Sequence, residues 1–151
     1  MSERTVAVAL KIPDNTAYTT LTALHRLGVK VAKLERSEIW KVEDSGDAST
    51  FVSRVESNET IFNPNKHRLS VIEANQPRVG EVWIEELGRH DEVREHMGGK
   101  VIPGITNARR YVGWRLLRTD GTPEDREVLH SATERLLANP AIEKPIYSEA
   151  E

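Results

Sequence analysis

The sequence predicts an α+β protein built from two similar units in tandem. Three observations carry that expectation. Helix and strand signals occur in the same order twice. Two Asn-Pro pairs, Asn63-Pro64 and Asn139-Pro140, lie 76 positions apart (139 − 63), close to half of the 151-residue chain. Trp40 and Trp114 lie 74 apart (114 − 40) on segments of the same type.

The first element is a strand over residues 5–12, where Val6, Val8, Leu10 and Ile12 alternate with smaller or polar residues. Pro13-Asp14-Asn15 supplies turn chemistry, and Asp14, Asn15 or Thr16 can cap a helix. Tyr18, Leu21, Leu24 and Leu27 then recur every three residues, an amphipathic spacing that Gly28 closes. Val29 to Glu43 is rich in β-branched residues and long for one strand, so a hairpin turning near Arg36-Ser37-Glu38 is expected. A polar loop over Glu43–Asp47 precedes a second helix carrying Phe51, Val52, Val55 and Ile61, capped by Asp47 or Ser49 and stopped at Asn63-Pro64. Leu69, Val71 and Ile72 make a last strand.

Ala74–Gly80 reads as a connector, after which the order begins again. Val82, Trp83, Ile84 and Leu87 predict a strand, and Asp91–Met97 a short charged helix. Gly98-Gly99-Lys100-Val101-Ile102-Pro103-Gly104 stands where Gly28–Val31 stands in the first half. Tyr111–Leu117 is a strand, and Asp120-Gly121 is a turn. Thr122 is expected as an N-cap, with Pro123 at the first helical position and Asp125 in the first turn. Val128, Leu129, Ala132, Leu136 and Leu137 form the buried stripe of that helix. Asn139-Pro140 ends it, since proline cannot continue a helix, and Ile142–Tyr147 can pair as the final strand. Each half therefore reads β-α-β-β-α-β, with helices on one face of an antiparallel sheet. The predicted architecture is two tandem ferredoxin-like units, residues 1–76 and 77–151, related by a pseudo-two-fold axis and packed as one body.

Composition narrows the function classes. The chain is 38% hydrophobic and 30% charged, with a net charge of −3. Residues 1–76 carry 10 Lys and Arg against 10 Asp and Glu, and residues 77–151 carry 11 against 14. Neither half has the basic excess of a nucleic-acid binder. The absence of cysteine excludes disulfides, thiolate metal sites and a cysteine nucleophile, and it suits a reducing, cytoplasmic setting. No signal peptide and no stretch long enough to span a bilayer is read from the sequence.

Leu136-Leu137-Ala138-Asn139-Pro140-Ala141-Ile142-Glu143 is similar to the helix-end motif of the PurS family. Val6-Ala7-Val8-Ala9-Leu10-Lys11, followed by Asp14, resembles that family's first strand. PurS is the small subunit of formylglycinamidine ribonucleotide synthase in purine synthesis, and each half of this chain is near the length of one PurS subunit. The resemblance implies a fused tandem with no catalytic residue and no cofactor of its own. Its implied partners are the synthetase (PurL-type) and glutaminase (PurQ-type) subunits of an ATP- and glutamine-dependent ligase, which it would bridge, with self-association also open. Two departures bear on partner-facing surfaces. Asp14-Asn15-Thr16-Ala17 replaces the family's Asp-Pro-x-Gly turn, and Ser37-Glu38 stands where the family has Gly-Lys.

Other candidate sites are weaker. His25, His67, His90, His96 and His130 are scattered, and the spacing of His90 and His96 does not put two ligands on one helical face. The Gly98–Gly104 segment follows a helix and enters a strand, the reverse of a phosphate loop. Arg109, Arg110, Arg115 and Arg118 form a local basic stretch whose alternation fits the wet face of a sheet. Trp40, Trp83 and Trp114 are expected in core or sheet packing, with Trp40 and Trp114 near the centre of an interface between the units. No catalytic, cofactor or metal residue is assigned. Two other functions stay open: a dimeric α/β-barrel-type enzyme with His25 or His130 in an apolar cavity, and an ACT-like small-molecule sensing domain.

Overall fold

In the computed structural model, one six-stranded antiparallel sheet carries helices on one of its faces; residues 2–59, 61–87 and 102–149 are described. The strands are β1 (Ser2–Leu10), β2 (Lys33–Asp44), β3 (His67–Val71), β4 (Glu81–Glu86), β5 (Ile105–Leu117) and β6 (Glu143–Tyr147). Their order across the sheet is β3-β1-β2-β5-β4-β6. The outer three strands on one side come from the first half of the chain, and their sequence counterparts follow in mirror order on the other.

The hairpin expected near Arg36-Ser37-Glu38 does not form. Lys33–Asp44 is a single twelve-residue strand, paired with β1 on one side and β5 on the other. The physical reason lies in the residues: nothing between Leu34 and Val42 is Gly, Pro or Asn, so no position favours a turn. Each half therefore contributes three strands to the sheet rather than four.

The helix α1 (Asn15–Arg26) begins where Asp14 accepts hydrogen bonds from the Thr16 and Ala17 amides at 2.9 and 3.2 Å. Gly28 follows at φ +86°, the left-handed conformation that ends helices cheaply only with glycine. A 3₁₀ turn at Ala48–Thr50, capped by Asp47, runs into α2 (Phe51–Glu56), which ends well before Ile61. The third helix, α3 (Arg126–Ala132), starts later than expected, with Asp125 at its N-cap. Asp120 instead binds Thr122 through both amide and hydroxyl, and Pro123 bridges to Leu117, so Thr122 and Pro123 belong to the turn. The helix then widens by one residue over Thr133–Leu137, where Ala138 donates to the Thr133 carbonyl. The helix expected at Asp91–Met97 lies outside the described residues.

Two apolar clusters fill the space beneath the helices. Val6, Val8, Trp40 and Val42 of β1 and β2 meet Phe51 and Val55 of α2. Val82, Ile84, Trp114 and Leu116 of β4 and β5 meet Leu129, Ala132 and Leu137. The clusters draw on both halves: α1 lies nearest β2, yet its Ala17 and Leu24 pack in the second cluster with residues of β4, β5 and α3, while Ile102 packs in the first. On the opposite sheet face, Ala7, Ile39, Trp83 and Tyr111 form a third cluster with Ile72, the residue just after β3.

Buried ion pairs fasten both the connector and the loops. Asp44, its side chain fully buried, binds Arg4 Nε at 2.9 Å and a two-pronged Arg54 at 2.8 and 2.9 Å. Arg54 also donates to the carbonyls of Pro103 and Asp47, so one guanidinium ties β2, α2 and the entry to β5. On the other face, buried Glu81 accepts from the Arg78 side chain and from Trp83 Nε1 at 3.1 Å. Asn75, at φ 54°, accepts from the Thr5 hydroxyl and donates to the Glu3 carbonyl, holding the connector across β1.

Candidate functional site

The helix-bearing face has a groove between the two apolar clusters. Its floor is the upper end of β1 with the middle of β2, where Leu10, Leu34, Arg36 and Glu38 point to the same side because alternate strand residues share a face. The start of α1 makes one wall, through Asp14, Ala17, Tyr18 and Leu21. Ile61 and His67 make the other. Two adjoining hollows, of about 360 and 230 Å³, share Leu10, Asp14 and Arg36.

Arg36 is the central polar group. Its guanidinium lies 5.9 Å from the centroid of the Trp114 ring, directly across from it in the β2–β5 ladder. It reaches Asp14 Oδ2 at 3.9 Å, a long ion pair between two partly exposed groups that contributes little to stability. Asp14 is oriented by its caps on α1. His67 Nδ1 accepts from the Asn63 amide at 3.0 Å, so the proton of the neutral imidazole sits on Nε2. Glu38 faces Arg110 at 3.8 Å on the neighbouring strand. A guanidinium, a carboxylate and an imidazole around an apolar floor can orient a small polar molecule. They do not form a nucleophile with an adjacent base.

The remaining sequence candidates fall elsewhere. Trp40 and Trp114 are buried on β2 and β5, each two positions beyond the Glu38–Val112 pair and on opposite sides of it. Trp40 Nε1 has no hydrogen-bond partner among the described residues. Trp83 packs against Tyr111 at 5.5 Å on the far face, and burial pushes the Tyr111 hydroxyl above the usual tyrosine range. His25 donates to the Val31 carbonyl at 2.6 Å, and His130 stacks on Tyr147 at 4.0 Å; neither lines the groove. The basic stretch disperses. Arg110 and Arg115 project to opposite faces, toward Glu38 and Glu35, while Arg118 pairs with Glu124 and Asp125. Of the glycine-rich segment only Ile102, Pro103 and Gly104 are described, and Gly104 abuts Asp44; His90, His96 and Gly98–Val101 lie outside the described residues. Among the described residues no group of three His, Cys, Asp or Glu is placed to hold a metal ion, and no helix is long and apolar enough to cross a membrane.

Arg36 and Glu38 are site residues that sequence reasoning missed, because both were assigned to a turn. The sequence signal is weak, because Glu35-Arg36-Ser37-Glu38 are all polar and interrupt any apolar alternation between Leu34 and Ile39. No protein-family model matches the chain, and no curated protein matches its sequence.

Proposed function

We propose that the chain is a fused pair of PurS-like units, residues 1–76 and 77–151, each a shortened ferredoxin-like unit. In this reading it is a non-catalytic subunit that bridges the synthetase and glutaminase components of formylglycinamidine ribonucleotide synthase. The observation that carries the reading is the matched pair of Asn-Pro corners. The Asn63 carbonyl accepts from Lys66 and His67, and the Asn139 carbonyl accepts from Ile142 and Glu143. The Asn63 side chain accepts from the Asn65 amide at 2.9 Å, and that of Asn139 from Ala141 at 3.1 Å. The Asn63 amide donates to the His67 side chain, and the Asn139 amide to that of Glu143. Every partner is displaced by the same 76 positions (139 − 63), and the second corner is the segment that resembles the PurS motif. Joining two copies in one chain makes their association intramolecular.

The test is co-purification with the synthetase and glutaminase subunits of the same organism, in the presence of glutamine, magnesium and ADP. A ternary complex that requires this chain supports the reading. Absence of any complex removes the bridging role.

The groove favours a second reading, a small-molecule sensing domain. Arg36, Asp14 and His67 converge there on apolar residues without building a reaction site. A thermal-shift screen of amino acids and nucleotides distinguishes it: stabilisation lost in an Arg36→Ala variant supports sensing.

A further inference from the structure

The two outer edges of the sheet are not equivalent. In an antiparallel ladder each residue turns its amide and carbonyl together, toward the neighbour or away, and the direction alternates. Ile72 donates to the Thr5 carbonyl at 2.9 Å, and Lys11 to the Lys66 carbonyl at 2.8 Å. Those bonds fix the phase of β3: Lys66, Arg68, Ser70 and Ile72 turn inward to β1, and His67, Leu69 and Val71 turn outward. The His67 amide is taken by the Asn63 carbonyl. Leu69 and Val71 are left with outward donors and acceptors, and Val71 is an exposed apolar side chain.

On the other edge, Leu87 donates to the Ile142 carbonyl at 2.8 Å, so Glu143, Pro145 and Tyr147 of β6 turn outward. Pro145 stands where Leu69 stands on β3, 76 positions earlier (145 − 69). It has no amide to offer, in the middle of the strand, and Glu143 has spent its own on Asn139. Proline at an outward position is a device that closes a sheet edge. The chain therefore has one closed edge and one open edge.

We infer that β3 is a self-association edge, which pairs antiparallel with β3 of a second copy of this chain. The register follows from the free groups. Centring the pair on Ser70 sets Leu69 opposite Val71 of the second copy, twice, and forms four backbone hydrogen bonds that use every free outward group of Leu69 and Val71. The same register puts Leu69 and Val71 of both copies side by side on the helix-bearing face, covering the exposed valine. It sets Ser70 against Ser70, small against small, and keeps the two Arg68 side chains apart, since each faces Ile72. A β6 edge blocked by Pro145 prevents further strand addition, so association stops at a two-fold pair and does not propagate into a fibre. A pairing of five-residue strands buries less than a standard interface, so the dimer is reversible and concentration-dependent. This inference does not rest on the PurS reading.

The 151-residue chain lacks cysteine, so one engineered thiol reports the register directly. Ser70 faces its own copy at a non-hydrogen-bonded position, where facing Cβ atoms lie about 4.5–5.5 Å apart. The Ser70→Cys variant is expected to oxidise to a covalent dimer under mild conditions, while Arg68→Cys stays monomeric on denaturing gels. Sedimentation over a concentration series is expected to show a monomer–dimer equilibrium for the parent chain. Val71→Lys, at an exposed position, should weaken that equilibrium by at least about tenfold, because it removes the apolar pair and brings two like charges near each other. A strictly monomeric parent chain overturns the inference. So does a dimer that is unaffected by Val71→Lys and not cross-linked through Ser70→Cys, which would place the contact elsewhere. A Ser70→Cys chain that cross-links only to a different protein assigns the edge to that partner and also overturns it.

Discussion

Glu38 and Val112 face each other across the β2–β5 ladder, and they lie 74 positions apart (112 − 38), the same offset as Trp40 and Trp114. They mark the point about which the two halves of the sheet are related. On one side of it Arg36 pairs with Trp114, and on the other Trp40 pairs with Arg110. The long central ladder is thus a junction between halves, and neither half has a complete core without it.

That junction, with Ala17 and Leu24 of α1 packed in a cluster shared with β4 and β5, predicts that the halves do not fold alone. Fragments 1–76 and 77–151 should each lack a cooperative unfolding transition. An equimolar mixture should recover the far-ultraviolet spectrum of the intact chain. A cooperative transition in either isolated fragment would contradict the shared cluster.

The two Asn-Pro corners should be worth similar amounts. Asn63→Ala and Asn139→Ala each remove one side-chain acceptor, an expected loss of about 1 kcal/mol in chemical denaturation. A large effect at one corner and none at the other would mean that the matched bonds do not do matched work.

Asp44 predicts an acid-sensitive fold. Hydrogen bonds from Arg54, against the opposing effect of burial, hold its carboxyl well below the usual carboxylate range. A folded-state pKa below the unfolded value of about 3.9 gives stability that is present above that pH and lost as pH falls below it. Asp44→Asn should destabilise the protein at neutral pH by about 2–3 kcal/mol, less than for fully buried pairs because both arginines reach solvent. It should also flatten the dependence of stability on pH below about 4. Denaturant titrations of both proteins across that range measure the two effects.

Gly104 and Gly28 separate backbone strain from collision. Both sit at positive φ, +89° and +86°. A Cβ on Gly28 meets nothing within 4 Å, whereas one on Gly104 comes within 2.8 Å of Asp44 Oδ1 and 2.9 Å of Arg54 Nη1. Gly28→Ala should cost about 1 kcal/mol, and Gly104→Ala should cost more and, by pushing into the Asp44–Arg54 pair, flatten the dependence of stability on acid pH that Asp44 confers. Equal losses would show that the loop moves aside freely.

The α+β class and several local elements were legible in the sequence, and the sheet was less so. The repeat offsets, α1 with its Asp14 cap, and the Asn139 stop were legible because each is a local signal read over a few residues. The continuity of β2 is not legible locally, because four polar residues, Glu35 to Glu38, stand in the middle of the strand. Its partner, a strand from the other half, is a long-range fact that local pattern does not encode. The cluster that Ala17 and Leu24 of α1 share with β4 and β5, and the convergence of Asp14, Arg36 and His67 in one groove, depend on that pairing and were hidden with it. Pro145 was visible throughout, but its meaning depends on which residues of β6 turn outward.

The bridging role is tested most directly by glutamine-dependent amidotransfer in a mixture of the synthetase and glutaminase subunits, with this chain present or omitted. The account predicts activity with glutamine only when the chain is present, and activity with free ammonia in either case. Glutamine-dependent activity that is the same without the chain would contradict it.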